Sequence, residues 1–293
     1  MAERVGFVGL GVMGSALSSH LLAAGYEVIG YDVTPRRAAE HQARGGTVAS
    51  DPAEVGGSAG VVVTSLPSVA ALRQVVEGPD GLTARPATGL TVVETSTLPV
   101  ADKEAARRYL AERAVALVDC PLSGTGAQAR AKDVVAYLSG EDAAKARVAE
   151  VVAAMTRAHF DVGEFGNGSK MKIVANLLVA IHNVAAAEAL LLAEHAGLDL
   201  TMVLAAIGDG AGTSRMFQVR GPMMASGDYT PAAIRTEVFD KDMKLIAAYA
   251  DQLRSPTPLF SLASLFYTAA LAQGRGQEDT ACVHAVLRRL GTG

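Results

Sequence analysis

The chain lacks several features that would assign it to a class at once. Only two of its 293 residues are cysteine, Cys120 and Cys282. They lie far apart without metal-ligand spacing, so no metal is expected and a reducing compartment suits them. Charge is sparse as well: the formal net charge is −4, and no block of lysines or arginines stands out. That argues against nucleic acid and against an anionic membrane surface as partners. There is no internal repeat and no low-complexity tract. The chain starts almost directly on a strand pattern, without a basic segment leading into an apolar one, so no secretory signal is expected. The most apolar stretch, Ile173 to Ala187, is interrupted by Asn176, His182 and Asn183. It falls short of the roughly 20 residues a bilayer-spanning helix needs. Together these absences predict a soluble, cytoplasmic protein.

What is present is core-forming material. Half the residues are hydrophobic, which argues against disorder, and the length fits about two domains. In the first half, short β-branched runs recur: "RVGFVGLG", "YEVIGYD", "GVVVTSLP", "LTVVETST", "AVALVDCP" and "VVAYLSG". Helical segments separate them, among them Met13–Ala24, Val69–Glu77, Ala101–Arg113 and Ala143–Met155. Apolar runs alternating with helices predict a doubly wound parallel sheet, the Rossmann arrangement, with helices on both faces. From Ser169 onward the pattern is almost wholly helical, starting with a long helix that is apolar nearly all round and is therefore expected to be buried. The expected division is a dinucleotide-binding domain over 1–162 and an all-helical domain over 163–293.

Gly9, Gly11 and Gly14 form G-x-G-x-x-G directly after the first strand and at the start of a helix. In that context the first glycine permits a tight turn, the second lets backbone approach a pyrophosphate, and the third lets helix and strand pack closely. Leu10, Val12 and Met13 complete the loop. Asp32 ends the next strand, eighteen residues after Gly14, where a carboxylate accepts hydrogen bonds from ribose hydroxyls and repels a 2′-phosphate. NAD is the expected cofactor, with NADP admitted by Arg36 and Arg37 just beyond. The plain alternative leaves the glycines for packing and Asp32 as a helix cap.

Oxidising an alcohol also requires a proton acceptor. The six histidines sit in no convincing motif, and His182 is expected to be a packed or interface residue. Lys172, in "GEFGNGSKMKIVAN", falls in the first turns of the long helix, with Asn176 one turn later on the same face. A lysine held near a cationic ring and away from water loses its proton more readily and can act as acid/base. Taken alone, a lysine at a helix start reads equally as a solvated surface charge.

Four segments in order resemble the β-hydroxyacid dehydrogenase family: "GFVGLGVMG", "DCPLSGTGAQARAKDVVAYLSG", "GNGSKMKIVAN" and "FDKDMKLI". The resemblance implies that Lys172 is the catalytic acid/base and Asn176 its hydrogen-bonding companion. It implies that Ser123, Gly124 and Thr125 hold a substrate carboxylate, and that Leu66, Pro67, Ser96 and Lys241 touch the cofactor. A helix-capping role before Pro99 remains open for Ser96-Thr97, and a solvated pair for Lys241 and Asp242. Asp119 and Cys120 are read as structural. Thr125 departs from the family's second glycine. Arg215 stands where many relatives carry a bulky apolar residue, as a clamp for a second anionic group or as a surface residue.

The expected activity is hydride transfer between NAD and the hydroxyl-bearing carbon of a small β-hydroxy acid such as 3-hydroxyisobutyrate. The alternatives are an NADPH-dependent reductase of succinic or glyoxylic semialdehyde and a non-catalytic NAD(H) sensor. The apolar helical half predicts a homodimer or homotetramer.

Overall fold

The computed structural model describes residues 3–291. The chain divides into two compact units, Met1–Lys172 and Ile173–Gly293. In chain order the first holds β1 (Arg4–Val8), α1 (Val12–Ala23), β2 (Glu27–Tyr31), α2 (Pro35–Ala43), β3 (Thr47–Val48), α3 (Pro52–Ser58) and β4 (Val61–Thr64). There follow α4 (Val69–Glu77), β5 (Thr91–Glu94), α5 (Val100–Ala111), β6 (Ala116–Asp119), β7 (Leu122–Ser123), α6 (Gly126–Arg130), β8 (Val135–Leu138), α7 (Asp142–Met155) and β9 (Ala158–Asp161). Helix α8 (Asn167–His195) starts in the first unit and runs on into the second.

Six parallel strands lie in the order β3-β2-β1-β4-β5-β6. Alternate residues of one strand feed different cores. Val61 and Val63 join Phe7, Leu17, Leu21, Val148 and Val152, while Val62 joins Ile29, Leu72, Val76 and Leu110. Helices α1 and α7 therefore cover one face, and α3, α4 and α5 the other. This is the doubly wound Rossmann sheet. The chain reverses direction across it between β1 and β4, which places a crevice outside their carboxyl ends.

One apolar run behaves differently from expectation. "VVAYLSG" supplies β8, which stands in a separate three-stranded sheet, antiparallel to β7 and parallel to β9. Its burial alternates along the strand, whereas β4 and β5 are buried throughout. A strand covered on one face only does not belong in the middle of a parallel sheet. The sixth place in the main sheet goes to the two-residue β3, paired to the end of β2.

The second unit contains α9 (Leu200–Asp209), α10 (Arg215–Ser226), α11 (Thr236–Gln252), α12 (Pro258–Ala272), a 3-10 turn (Thr280–Cys282) and α13 (Val283–Gly291). Its core gathers Ala187, Leu190, Phe239, Ile246, Phe260 and Tyr267. Polar contacts are enclosed with it. Arg220 Nε donates to Asp279 Oδ1 at 2.9 Å, and Asn183 Nδ2 donates to Tyr267 Oη and to the Thr280 carbonyl. Helix α8 is long and apolar enough to cross a membrane by length and composition alone, contrary to the expectation drawn from its most apolar stretch. It is not buried all round: Val174, Leu178 and Leu192 are exposed.

Candidate active site

Backbone conformation explains the glycine loop. Gly9 has φ +93°, and its N–H donates to the Tyr31 carbonyl at 2.9 Å. A Cβ there would collide with the Ser65 carbonyl, and one on Gly14 would collide with the Gly9 carbonyl. Both glycines are thus required by the turn itself. Gly11 is different, because a Cβ on it would meet nothing closer than Arg37 Nη1 at 3.9 Å. The protein leaves that space open. Gly11 is the N-cap of α1, without a side-chain cap and without an acidic residue in the first turn. The helix thereby presents free N–H donors and the positive end of its dipole, which suits a pyrophosphate. Leu10 buries its side chain in the core, so only its backbone can serve the loop; Val12 is exposed.

Asp32 does more than await a ribose. Its Oδ2 accepts from the Leu10 N–H at 2.8 Å and its Oδ1 from the Thr34 N–H at 2.8 Å. Arg37 Nη1 stands 3.5 Å from Oδ2. The carboxylate therefore braces the glycine loop against the end of β2. Oδ2 is shared by Leu10 and Arg37, while Oδ1 keeps a further lone pair for a hydroxyl.

Leu66 and Pro67 follow β4, and Ser96 follows β5, at the same carboxyl edge. Ser96 Oγ accepts from the Leu66 N–H at 2.7 Å. Helix α5 is capped at Pro99, so the serine hydroxyl ties two loops together and does not cap that helix. Further along, Gly124 has φ +145°. Thr125 caps α6: its Oγ1 accepts from the Gln128 N–H, and its own N–H donates to Gln128 Oε1 at 2.9 Å. The Thr125 N–H is thus used inside the protein, while its hydroxyl, which accepts in the cap, keeps its proton to donate.

Lys172 lies on α8 in the first unit and is 8% exposed, which rules out a solvated surface charge. Asn176, one turn later on the same helix, is 5% exposed. In the second unit Asn176 Nδ2 donates to Asp242 Oδ2 at 3.0 Å, which fixes the orientation of the amide. Lys241 Nζ stands 3.8 Å from Asp242 Oδ1. Arg215 is exposed at the start of α10.

Residues 4–163 match the family model described as the NAD binding domain of 6-phosphogluconate dehydrogenase. Residues 166–287 match that of the NAD-binding region of NADP-dependent 3-hydroxyisobutyrate dehydrogenase. The chain is similar to L-threonate dehydrogenase of Cupriavidus necator, at 33% identity over 97% of this chain and 95% of that one. It belongs to the β-hydroxyacid dehydrogenase family. Among solved structures it is similar to 3-hydroxyisobutyrate dehydrogenase from Salmonella typhimurium, with TM-score 0.86 and 33% identity over 97% and 99% of the two chains. It is also similar to Mycobacterium tuberculosis 3-hydroxyisobutyrate dehydrogenase with L-serine, with TM-score 0.88 and 26% identity over 98% and 100%.

As a member of this family the protein is an NAD(P)-dependent dehydrogenase, and the open space at Gly11 with the uncapped start of α1 fits that cofactor. Sequence reasoning missed three sets of contacts at the candidate residues. These are the bond from Ser96 to Leu66, the hold of Asp242 on Asn176, and a buried network around Lys103. The first two join residues 30 and 66 positions apart. Only the pairing of strands and the packing of helices brings them together.

Proposed function

We propose that the protein oxidises the hydroxyl-bearing carbon of a small β-hydroxy acid with NAD, using Lys172 as the acid/base. The observation that carries this reading is the burial of Lys172, one turn before an asparagine whose amide is fixed by Asp242. The bound cofactor supplies the hydride acceptor. Lys172 Nζ, in its neutral form, takes the hydroxyl proton during oxidation and returns it during reduction. Asn176 orients the oxygen that loses the proton. Ser123 and the backbone of Gly124 receive the carboxylate, a common task for small residues with outward N–H groups. Lys241 is assigned to the cofactor by resemblance. Much of the rate comes from positioning, since the redox chemistry resides in the cofactor.

The relatives named L-threonate dehydrogenase and 3-hydroxyisobutyrate dehydrogenase favour a substrate of about four carbons bearing a carboxylate. Asp32 supports NAD, because a 2′-phosphate would face its carboxylate. A second reading, an NADPH-dependent semialdehyde reductase, is favoured by Arg37, whose guanidinium stands beside Asp32 and could take that phosphate. The deciding experiment is an initial-rate panel with 3-hydroxyisobutyrate, L-threonate, L-serine, and succinic and glyoxylic semialdehydes, each with both cofactors. Turnover of a hydroxy acid with at least tenfold preference for NAD is expected. A clear NADPH preference with aldehyde substrates alone contradicts the proposal.

The long helix reads as the core helix of a soluble, cytoplasmic enzyme, because Asn183 is buried and hydrogen-bonded inside the helical unit. The exposed Val174, Leu178 and Leu192 of α8 and Leu259, Leu262 and Leu265 of α12 support a homodimer or homotetramer through the helical domain. Light scattering that shows a monomer at all concentrations would contradict it.

A further inference from the structure

The carboxyl ends of β4, β5 and β6 carry Thr64, Glu94 and Asp119 in register, Thr64 beside Glu94 and Glu94 beside Asp119. All three are fully buried. Lys103 of α5, equally buried, reaches into this row. Its Nζ lies 2.8 Å from Asp119 Oδ1 and 3.8 Å from Glu94 Oε1. Two carboxylates beside one ammonium, all shielded from solvent, are costly unless further donors complete the site.

The donors that complete it come from functional segments. Glu94 accepts from Thr64 Oγ1 at 2.6 Å and from the Ser96 N–H at 2.5 Å; Ser96 in turn holds Leu66. Asp119 Oδ2 accepts from the Ser169 N–H at 2.7 Å, and Oδ1 accepts from Ser169 Oγ at 2.8 Å. Ser139 Oγ, 3.2 Å from Asp119 Oδ2, accepts from the Gly168 N–H at 2.9 Å. Gly168 and Ser169 form the first turn of α8, whose N–H groups have no partner within the helix. A Cβ on Gly168 would stand 2.6 Å from the Tyr137 carbonyl, so the helix start is seated directly on the sheet. Lys172 follows Ser169 by three residues on this helix.

We infer that Lys103, Glu94 and Asp119 are positioning residues for catalysis. Their buried charge cluster locks the first turn of α8, and so the height and rotation of Lys172, to the loop that carries Ser96 and, through Ser96, to the loop that carries Leu66. The inference rests on the role proposed above for Lys172. The Asp119 carboxylate meets the positive end of the very helix that bears the acid/base.

Replacing Lys103 would leave two carboxylates facing each other and endanger folding, so the test uses Ser169→Ala and Ser139→Ala, which each delete a neutral hydrogen-bonding group. Both variants are expected to melt within a few degrees of the parent and to bind NADH within twofold. Amide exchange over residues 168–172 is expected to rise about tenfold. With the best substrate of the panel, kcat is expected to fall about tenfold while KM changes less than threefold. Unchanged exchange, or faster exchange with unchanged kcat, overturns the proposal. Lys172→Ala is assayed alongside: if it turns over normally, the acid/base reading itself fails. If it is inactive while both serine variants keep the parent kcat, only the positioning role fails.

Discussion

Replacing the three loop glycines one at a time separates folding from cofactor binding. At Gly14 a methyl group would collide with the Gly9 carbonyl and come within 3.0 Å of Phe7 Cε1. At Gly9 it would press on Ser65 at a φ of +93°. Both are backbone conflicts inside a close-packed core, where overpacking costs about 1–3 kcal/mol or more. At Gly11 the φ is −66°, which alanine adopts freely, and no protein atom lies nearer than 3.9 Å. The cost to folding there is the loss of a favourable N-cap residue, about 0.5–1 kcal/mol. The cost to cofactor binding is larger, because the methyl fills the space through which a pyrophosphate reaches the N–H groups of α1. One charged hydrogen bond lost is worth about 1.5–3 kcal/mol, roughly tenfold to more than a hundredfold in affinity. Thermal melting and NADH fluorescence titration of the three alanine variants measure both quantities. Gly11→Ala should melt close to the parent yet bind NADH at least tenfold more weakly, while Gly14→Ala should lose several degrees or fail to fold. Normal NADH affinity in Gly11→Ala would refute the assignment of that space to the cofactor.

Other outcomes follow from the enclosed polar groups. Arg220 and Asp279 form a buried pair in the helical unit; burial alone would raise the Asp279 carboxyl, but Arg220 and backbone donors hold it below its ordinary range. Arg220→Ala strands that carboxylate and should cost about 3–5 kcal/mol in urea unfolding, whereas a loss under about 1 kcal/mol would show the pair to be dispensable. Burial also lowers the imidazoles of His41 and His284 below the ordinary 6.5. As pH falls through that value the unfolded chain takes up their protons first. Stability should therefore decline below about pH 6.5, by up to about 1.4 kcal/mol per pH unit for each ring, and His41→Gln should flatten the slope. A melting temperature that does not fall between about pH 7 and 5.5 contradicts this.

The parts of the protein that were legible in the sequence are those set by local pattern. Strands β1, β2, β4, β5 and β6 appear as apolar runs because they are covered on both faces, and Gly9 and Gly14 stand out because the turn between β1 and α1 has no room for a Cβ at either. Strand β3 escaped notice because two residues carry no periodicity, and β8 was read into the main sheet because its alternation was taken for a doubly buried run. The Lys103 network was invisible for a different reason: its contacts join residues up to 50 positions apart, which meet only through strand register and the packing of α5 and α8 on the strands. A signal did exist. The runs "VVVT", "TVVE" and "ALVD" each end on a polar residue, and in a parallel sheet such ends lie side by side at the edge where ligands bind. Thr125 shows the converse, since a backbone N–H that the sequence offers to substrate is taken up by Gln128 in the cap of α6.

The central claim is that the buried amine of Lys172 moves the proton while other residues hold the cofactor. Lys172→Ala, assayed for NADH formation from the best hydroxy acid and titrated with NADH in parallel, tests it most directly. The account predicts a fall in turnover of at least a hundredfold, the upper part of what a positioned acid/base supplies, with NADH affinity within threefold of the parent. Turnover within tenfold of the parent, or equal loss of turnover and NADH binding, would contradict it.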